Sequence, residues 1–355
     1  MTDPTVPGFN PGGIEDRVDT RDHKWTEVGF GSAPFDWSVG YDVQEEVANA
    51  IGITGFKIPV KDQNGSGSCG GQAWSYYAEV LEAVSSKTFE ERSAKFIYAQ
   101  TYVPGGGSYG RDNCEIFVKQ GVAREETLPS YENGNPPSEL FMTRSQDILA
   151  STRQDAKLSM ALSYANVDSI IDQVAQAIRD NKGVVLGVRG QNNGTWVSPY
   201  PVPPTSFEWG HWVYAGKAKM INGVKHIGFL NSWGIGVGDL GWQWLSEDWF
   251  KTNIGGALAI FSVWTQVFNS VPVPPTFHHV FSVNMKLGDK GPEVVALQKV
   301  LQIEGLFPAS VPTTGYFGNI TQASVAKFQQ KNNITPTAGY CGPKTRGKLN
   351  EKYGQ

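Results

Sequence analysis

The chain has 355 residues, of which 40% are hydrophobic and 12% aromatic, and carries a formal net charge of −4. That length exceeds one typical domain and the composition can bury a sizeable core, which excludes a disordered or fibrous chain. No run of about 18 apolar residues occurs, so no membrane span is expected, and three cysteines argue against a disulfide scaffold.

The opening Met1-Thr-Asp-Pro-Thr-Val-Pro-Gly lacks the basic start and apolar core of a secretory signal. The expectation is a protein acting at a cell wall or outside the cell, either trimmed or exported by another route. Residues 1–33 are rich in Gly, Pro and Asp without periodicity and read as an irregular arm, placed to lie in a cleft and block it.

Chemistry begins at Lys61-Asp-Gln63-Asn-Gly-Ser-Gly-Ser-Cys69, where a glutamine stands six positions before a cysteine. From Gln72 to Val84 the apolar residues Trp74, Tyr77, Ala78, Leu81 and Val84 recur at helical intervals. Ser68 is the predicted N-cap, which puts Cys69 in the first turn, where the positive helix end favours a thiolate. The Gly/Ser loop lets backbone approach a substrate closely, and the Gln63 amide converges with the Cys69 amide as an oxyanion hole.

Helices are predicted over 92–102 and 167–181. Strands follow at 183–188, 212–218, 225–231, 241–245 and 257–264. Helices first and strands later predict an α+β domain with its cleft between a helical lobe carrying Cys69 and a sheet lobe carrying His211. His211, in Gly210-His-Trp-Val, precedes Asn231, in Asn231-Ser-Trp233-Gly, by 20 residues in a strand-loop-strand arrangement that brings both together. His226 is the competing base.

These motifs, in this order, resemble the papain family of cysteine peptidases over residues 34–268. The resemblance implies a two-lobed papain-like fold in which Cys69 is the nucleophile, His211 the base, Asn231 its orienting partner and Gln63 the oxyanion donor. Trp233 would shield the contact between His211 and Asn231. Pro34-Phe-Asp-Trp37 resembles the family's mature start, and Gly121-Val-Ala123 with Leu128-Pro-Ser-Tyr131 its mid-domain segment. Gly105, Gly106 and Gly107 correspond either to the glycine wall of the substrate cleft or to a flexible loop. Gly70 and Ser66 depart from the family's aromatic and cysteine at those places, so the neighbouring disulfide is absent. The arm is too short for the long helical prodomain of many relatives.

Val271-Pro-Val-Pro-Pro-Thr276 marks a stiff linker within residues 269–284. Residues 285–355 form a second unit, in which Val294, Leu297 and Leu301 share a helix face. Gly315-Tyr316-Phe-Gly-Asn-Ile-Thr321 and Gly339-Tyr340-Cys-Gly-Pro-Lys-Thr345 repeat after 24 residues, each a turn feeding a helix. Asn319 with Gln322 is the predicted cap of one, and Pro343 the start of the next. The pattern resembles the small three-helix peptidoglycan-binding domain of cell-wall hydrolases. That resemblance names peptidoglycan as partner, with Tyr316, Lys327, Tyr340 and Lys344 as wall contacts; the competing reading packs Tyr316 and Tyr340 in the core. This unit has nine Lys/Arg against four Asp/Glu, leaving −9 for the rest of the chain, and a basic module on an acidic body suits an anionic partner.

Cys114 and Cys341 read as buried and unpaired. His23, His278 and His279 sit in no metal-ligand spacing, and nothing resembles a phosphate loop or dinucleotide fingerprint, so no metal or cofactor is expected. The function expected is a cysteine endopeptidase acting on polypeptide and targeted to the bacterial wall, with no nucleic-acid partner. The alternatives are a lytic enzyme cutting muropeptides and a non-catalytic wall-binding protein.

Overall fold

The computed structural model describes residues 10–19, 22, 24–25, 33–132, 137–268, 279–308 and 313–354. The Val271–Thr276 stretch, His23 and His278 lie outside them. The chain divides into two units, Met1–Ser270 and Val271–Gln355.

In the first unit the helices are α1 Val43–Ile51, α2 Cys69–Ser86, α3 Ala94–Thr101, α4 Gly110–Lys119, α5 Glu139–Met142, α6 Ala150–Ala156, α7 Ile171–Asn181 and α8 Glu247–Lys251. The principal strands are β1 Gly13–Ile14, β2 Tyr41–Asp42, β3 Ser108–Tyr109, β4 Ala161–Asn166, β5 Val184–Gly190, β6 Trp209–Ile221, β7 Val224–Leu230 and β8 Trp242–Ser246. They are followed by β9 Asn253–Ile254, β10 Ala257–Leu258 and β11 Ile260–Phe268. A seven-stranded sheet runs β4-β11-β5-β6-β7-β8, with β2 added on β6, and its pairs are antiparallel. Helices α1 to α4 build the other lobe; α2 and α3 fall where the sequence predicts helices, and α1 and α4 where it predicts none.

Helix α2 is the axle. Residues 66–81 are all buried, so the helix is apolar on nearly every face, as a helix enclosed by its domain must be. It meets the sheet through Trp74, whose ring stands edge-on to Trp212 of β6 at 5.5 Å. Tyr77 Oη donates to Gly183 O at 2.6 Å and Tyr76 Oη to Asn231 O at 3.2 Å. These contacts fix the start of α2 against the edge that carries His211 and Asn231.

Ser68 occupies the N-cap, but its side chain makes no capping bond. Its hydroxyl instead lies 2.7 Å from Ser66 Oγ. The glycines after Cys69 have a packing reason. A Cβ at Gly70 would stand 2.4 Å from Ser108 Oγ, and one at Gly71 2.5 Å from Ala94 O. The helix spends conformational entropy there to let its neighbours close in.

The second unit is a three-helix cluster, α9 Pro292–Ile303, α10 Asn319–Lys331 and α11 Pro343–Tyr353. Its core holds Phe281, Leu297, Leu301, Phe317, Phe328, Cys341 and Leu349. Phe281 is buried and His279 N donates to Tyr353 O at 2.9 Å. Residues 279–284, expected as the end of the linker, therefore pack onto this unit. Pro343 opens α11 as expected, but α10 has Gly318 at its N-cap with no side-chain bond, so the Asn319–Gln322 cap does not form.

Tyr316 and Tyr340 do not fill the core. They are 46% and 42% exposed, while the next residues, Phe317 and Cys341, are fully buried. One buried glutamine holds each turn. Gln298 bonds Gly315 N, Tyr316 O and Thr321 Oγ1, and Gln329 bonds Gly339 N, Tyr340 O and Thr345 Oγ1. The repeat in the sequence is a repeated polar clamp.

Candidate active site

Strand register places the imidazole. Tyr214 of β6 pairs with Leu230 of β7, so His211, shortly before Tyr214, and Asn231, just past Leu230, emerge at the same end of the sheet. His211 Nε2 lies 3.0 Å from Asn231 Oδ1. Trp233 stacks on the imidazole, with centroids 4.5 Å apart at 23°. His226 takes no part: its Nδ1 faces Val224 O at 2.9 Å.

Cys69 opens α2, where the backbone N–H groups of Trp212, Gly12, Gly70 and Cys69 itself favour its thiolate against burial. Trp212 directly follows His211, so thiol and imidazole share one cleft. Gln63 is buried beside them. Its Oε1 accepts from Ser232 Oγ at 2.7 Å and its backbone N donates to Ser232 O at 2.8 Å, which aims Nε2 into the cleft. Ser232, inside the Asn-Ser-Trp motif, is a positioning contact that the motif reading leaves without a role.

The three glycines separate. All have left-handed φ, 104°, 100° and 88°, but a Cβ at Gly105 or Gly106 would meet nothing within 4 Å, whereas Gly107 packs on Gly12. Gly107 alone forms close cleft wall. It is tied to the Gly67 loop before Cys69 without a disulfide: Gly107 N donates to Tyr98 Oη at 2.9 Å, Tyr98 Oη to Glu139 Oε1 at 2.6 Å, and Gly67 N to Glu139 Oε2 at 2.6 Å. Neither Tyr98 nor Glu139 carries a motif that sequence reading would single out.

The cleft is filled by the chain's own arm. Gln63 Nε2 donates to Asn10 O at 2.7 Å, and Asn10 Nδ2 to Gly65 O at 2.7 Å. Ser108 N donates to Gly12 O at 2.9 Å, and β1 pairs parallel with β3, Gly13 opposite Ser108. Residues 10–19 are irregular apart from this two-residue strand. Glu15 pairs with Arg189, Asp16 accepts from Arg111 N at 3.0 Å and from Trp264 Nε1 at 3.1 Å, and Arg111 Nε donates to Asp22 at 2.8 Å.

The arm engages the groups that face the cleft. The Gln63 donor holds the Asn10 carbonyl, and the Gly12 backbone N–H acts on the thiol two residues on. Under the arm Cys69 and His211 are both 0% exposed. Burial pushes the thiol up to about 11 and the imidazole down to about 4, the latter against the hydrogen bond that His211 Nε2 donates to Asn231 Oδ1. Both groups are therefore neutral while the arm is seated.

Asp16 makes the arm pH-sensitive. Burial raises its carboxyl from 3.8 to about 6, opposed by the Arg111 amide and charge and by Trp264 and assisted by the nearby Asp112. Docking therefore takes up a proton. Its contribution is full below the free value and lost as pH rises through about 6, which amounts to on the order of 2–3 kcal/mol. The arm is expected to hold more firmly at pH 4.5 than at pH 7.5. The readout is protection of Cys69 from alkylation, taken relative to a chain lacking residues 1–17. Asp16→Asn should flatten the profile; an unchanged slope would show that Asp16 does not set it.

Among the described residues no group of three or more His, Cys, Asp or Glu is placed to hold a metal, and no helix is long and apolar enough to cross a membrane. Cys69, Cys114 and Cys341 are all free and buried.

Comparison with known proteins places this architecture. No curated protein matches the chain. Residues 290–349 match the family described as "Putative peptidoglycan binding domain". Among solved structures, xylellain, a cysteine protease from Xylella fastidiosa, aligns with TM-score 0.56 at 20% identity, over 74% of this chain and 97% of its own. ProCathepsin B S9 from Trypanosoma congolense aligns with TM-score 0.53 at 12% identity, over 73% and 86%. Digestive procathepsin L 3 of Tenebrio molitor larval midgut aligns with TM-score 0.50 at 15%, over 67% and 72%. The chain has the papain-like α+β fold of cysteine proteases, with a peptidoglycan-binding domain matched over residues 290–349.

Proposed function

We propose that this chain is a cysteine endopeptidase, held latent by its arm and targeted to the bacterial cell wall by its C-terminal domain. The observation that carries the reading is the convergence in one cleft of the Cys69 thiol, the His211–Asn231 pair at 3.0 Å under Trp233, and the Gln63 amide aimed at a peptide carbonyl.

With the arm displaced, water re-enters and the thiol passes its proton to His211, giving a thiolate–imidazolium pair. The thiolate adds to the substrate carbonyl carbon, and the oxygen takes the negative charge between Gln63 Nε2 and the Cys69 amide. Collapse expels the amine, which takes its proton from His211. The neutral imidazole then deprotonates a water, which attacks the thioester and releases the acid and the thiol. Asn231 holds the imidazole throughout. The reaction calls for no metal or cofactor.

The C-terminal domain favours a second reading, in which the same chemistry cuts peptidoglycan peptides. The experiment that decides uses the full-length chain carrying Gly12→Leu, so that the cleft is open, and follows iodoacetamide-sensitive release of amino groups from an unstructured protein and, separately, from purified sacculi. Release from the protein alone supports a wall-targeted protease. Release from sacculi makes the enzyme lytic, and release from neither overturns the catalytic reading in favour of a non-catalytic wall-binding protein.

Wall binding is assigned to the two turns bearing the clamped, exposed tyrosines. One hollow there is lined by Lys290, Gly315 and Tyr316, and another by Pro336, Tyr340 and Lys344; Lys327 lines neither. Tyrosine rings held outward suit stacking on sugar rings, and the lysines suit peptide carboxylates. Tyr316→Ala and Tyr340→Ala should each weaken co-sedimentation with sacculi by about 1 kcal/mol, roughly fivefold. A double variant that sediments like wild type would remove these turns from the proposal.

A further inference from the structure

Gln243 lies on β8, fully buried behind Asn231. Its Nε2 donates to Trp196 O and to Ser198 O, both at 2.7 Å. Carbonyl oxygens only accept, so the amide end facing them must be the NH₂. Its Oε1 then faces the other way and accepts from Asn231 Nδ2 at 2.7 Å. That in turn leaves Asn231 Oδ1 as the end presented to His211 Nε2 at 3.0 Å, an orientation that Ser232 N also demands by donating to the same oxygen at 2.8 Å.

The polarity runs one step further. An oxygen opposite Nε2 requires that nitrogen to carry the proton, and leaves Nδ1 bare. His211 Nδ1 is buried and has no hydrogen-bond partner among the described residues, as expected of the nitrogen that takes the thiol proton. Two main-chain carbonyls of the 191–208 segment therefore dictate, through two amides, which imidazole nitrogen is basic.

We propose that Gln243 is a positioning residue that sets the tautomer of His211 through Asn231. This rests on the Cys–His–Asn reading of the site. Apolar residues would pack at this place in the sheet, and a buried amide is retained there because its polarity is used.

The test is Gln243→Leu, alone and combined with Asn231→Ala, in the full-length chain carrying Gly12→Leu so that the cleft is open. Alone, it should lower kcat about 10- to 100-fold with KM changed less than twofold, in the range seen when a group orienting a working imidazole is removed. It should also move the acid limb of Cys69 alkylation to higher pH, because a poorly supported imidazolium supports the thiolate less. In the Asn231→Ala background the same substitution should cost less than twofold, since its only route to the imidazole is gone. An equal loss in both backgrounds, or no loss in either, overturns the proposal. Thermal denaturation of each variant separates unfolding from mispositioning. If no variant hydrolyses peptide bonds, the protease reading fails; the alkylation profile still tests Gln243, because it needs no substrate.

Discussion

Cys69→Ala is expected to abolish turnover, a fall on the order of a millionfold in kcat by comparison with nucleophile deletions in other covalent hydrolases, while leaving the fold intact. The site offers no substitute. Ser66 and Ser68 flank the nucleophile, but Ser66 Oγ donates to Gln63 O at 2.7 Å and lies 2.7 Å from Ser68 Oγ, and both are fully buried. Cys114 is buried within the helical lobe and Cys341 within the second unit's core. Removing one sulfur from the first turn of α2 costs about 1 kcal/mol at most, in the range of a small truncation in a packed core. Thermal denaturation should thus move little while amino-group release from an unstructured protein ceases. Hydrolysis at the wild-type rate would sink the thiol mechanism, and a variant that fails to fold would be recognised by the melt.

How much of this was legible beforehand follows from where each signal is stored. The helix at Cys69, the strands around His211 and Asn231, and the pairing of the two are encoded locally, by periodicity and by motifs close in sequence. The contacts that hold the site come from elsewhere. Glu139 reaches Gly67 across 72 positions and Asn10 reaches Gln63 across 53, and no local pattern announces either. Gly12 and Gly13 lie in a stretch that reads only as Gly/Pro/Asp-rich chain, yet a Cβ at either would run into backbone, that of Gly67 and Gly107 for the first and of Gly210 and His211 for the second. Tyr316 and Tyr340 show the limit of a repeat. It predicts one turn built twice, but only the fold decides that the neighbouring Phe317 and Cys341 face inward and the tyrosines outward.

The arm gives the other large expectation: Gly12→Leu should raise activity rather than lower it. A Cβ at Gly12 would stand 2.0 Å from Gly67 O, 2.7 Å from Gly67 C and 2.8 Å from Gly107 Cα. All three are backbone atoms of the cleft walls, tied together by Tyr98 and Glu139, so no side-chain rotation makes room. Either the walls part or the arm lifts, and the arm's own hold on the cleft is the weaker of the two. Overpacking costs about 1–3 kcal/mol, often more against rigid backbone, and each 1.4 kcal/mol is about tenfold in the open population. Turnover of an unstructured substrate and the rate of Cys69 alkylation should therefore rise together, roughly 10- to 100-fold. Rehydration would let the thiol and the imidazole return toward their ordinary ranges and ionise as a pair. Val18→Ala is the control, because Val18 is 97% exposed on the same arm and its loss should change neither rate. If Gly12→Leu and wild type react alike, the arm is no brake in solution, and the accessible thiol must be explained by a cleft already open.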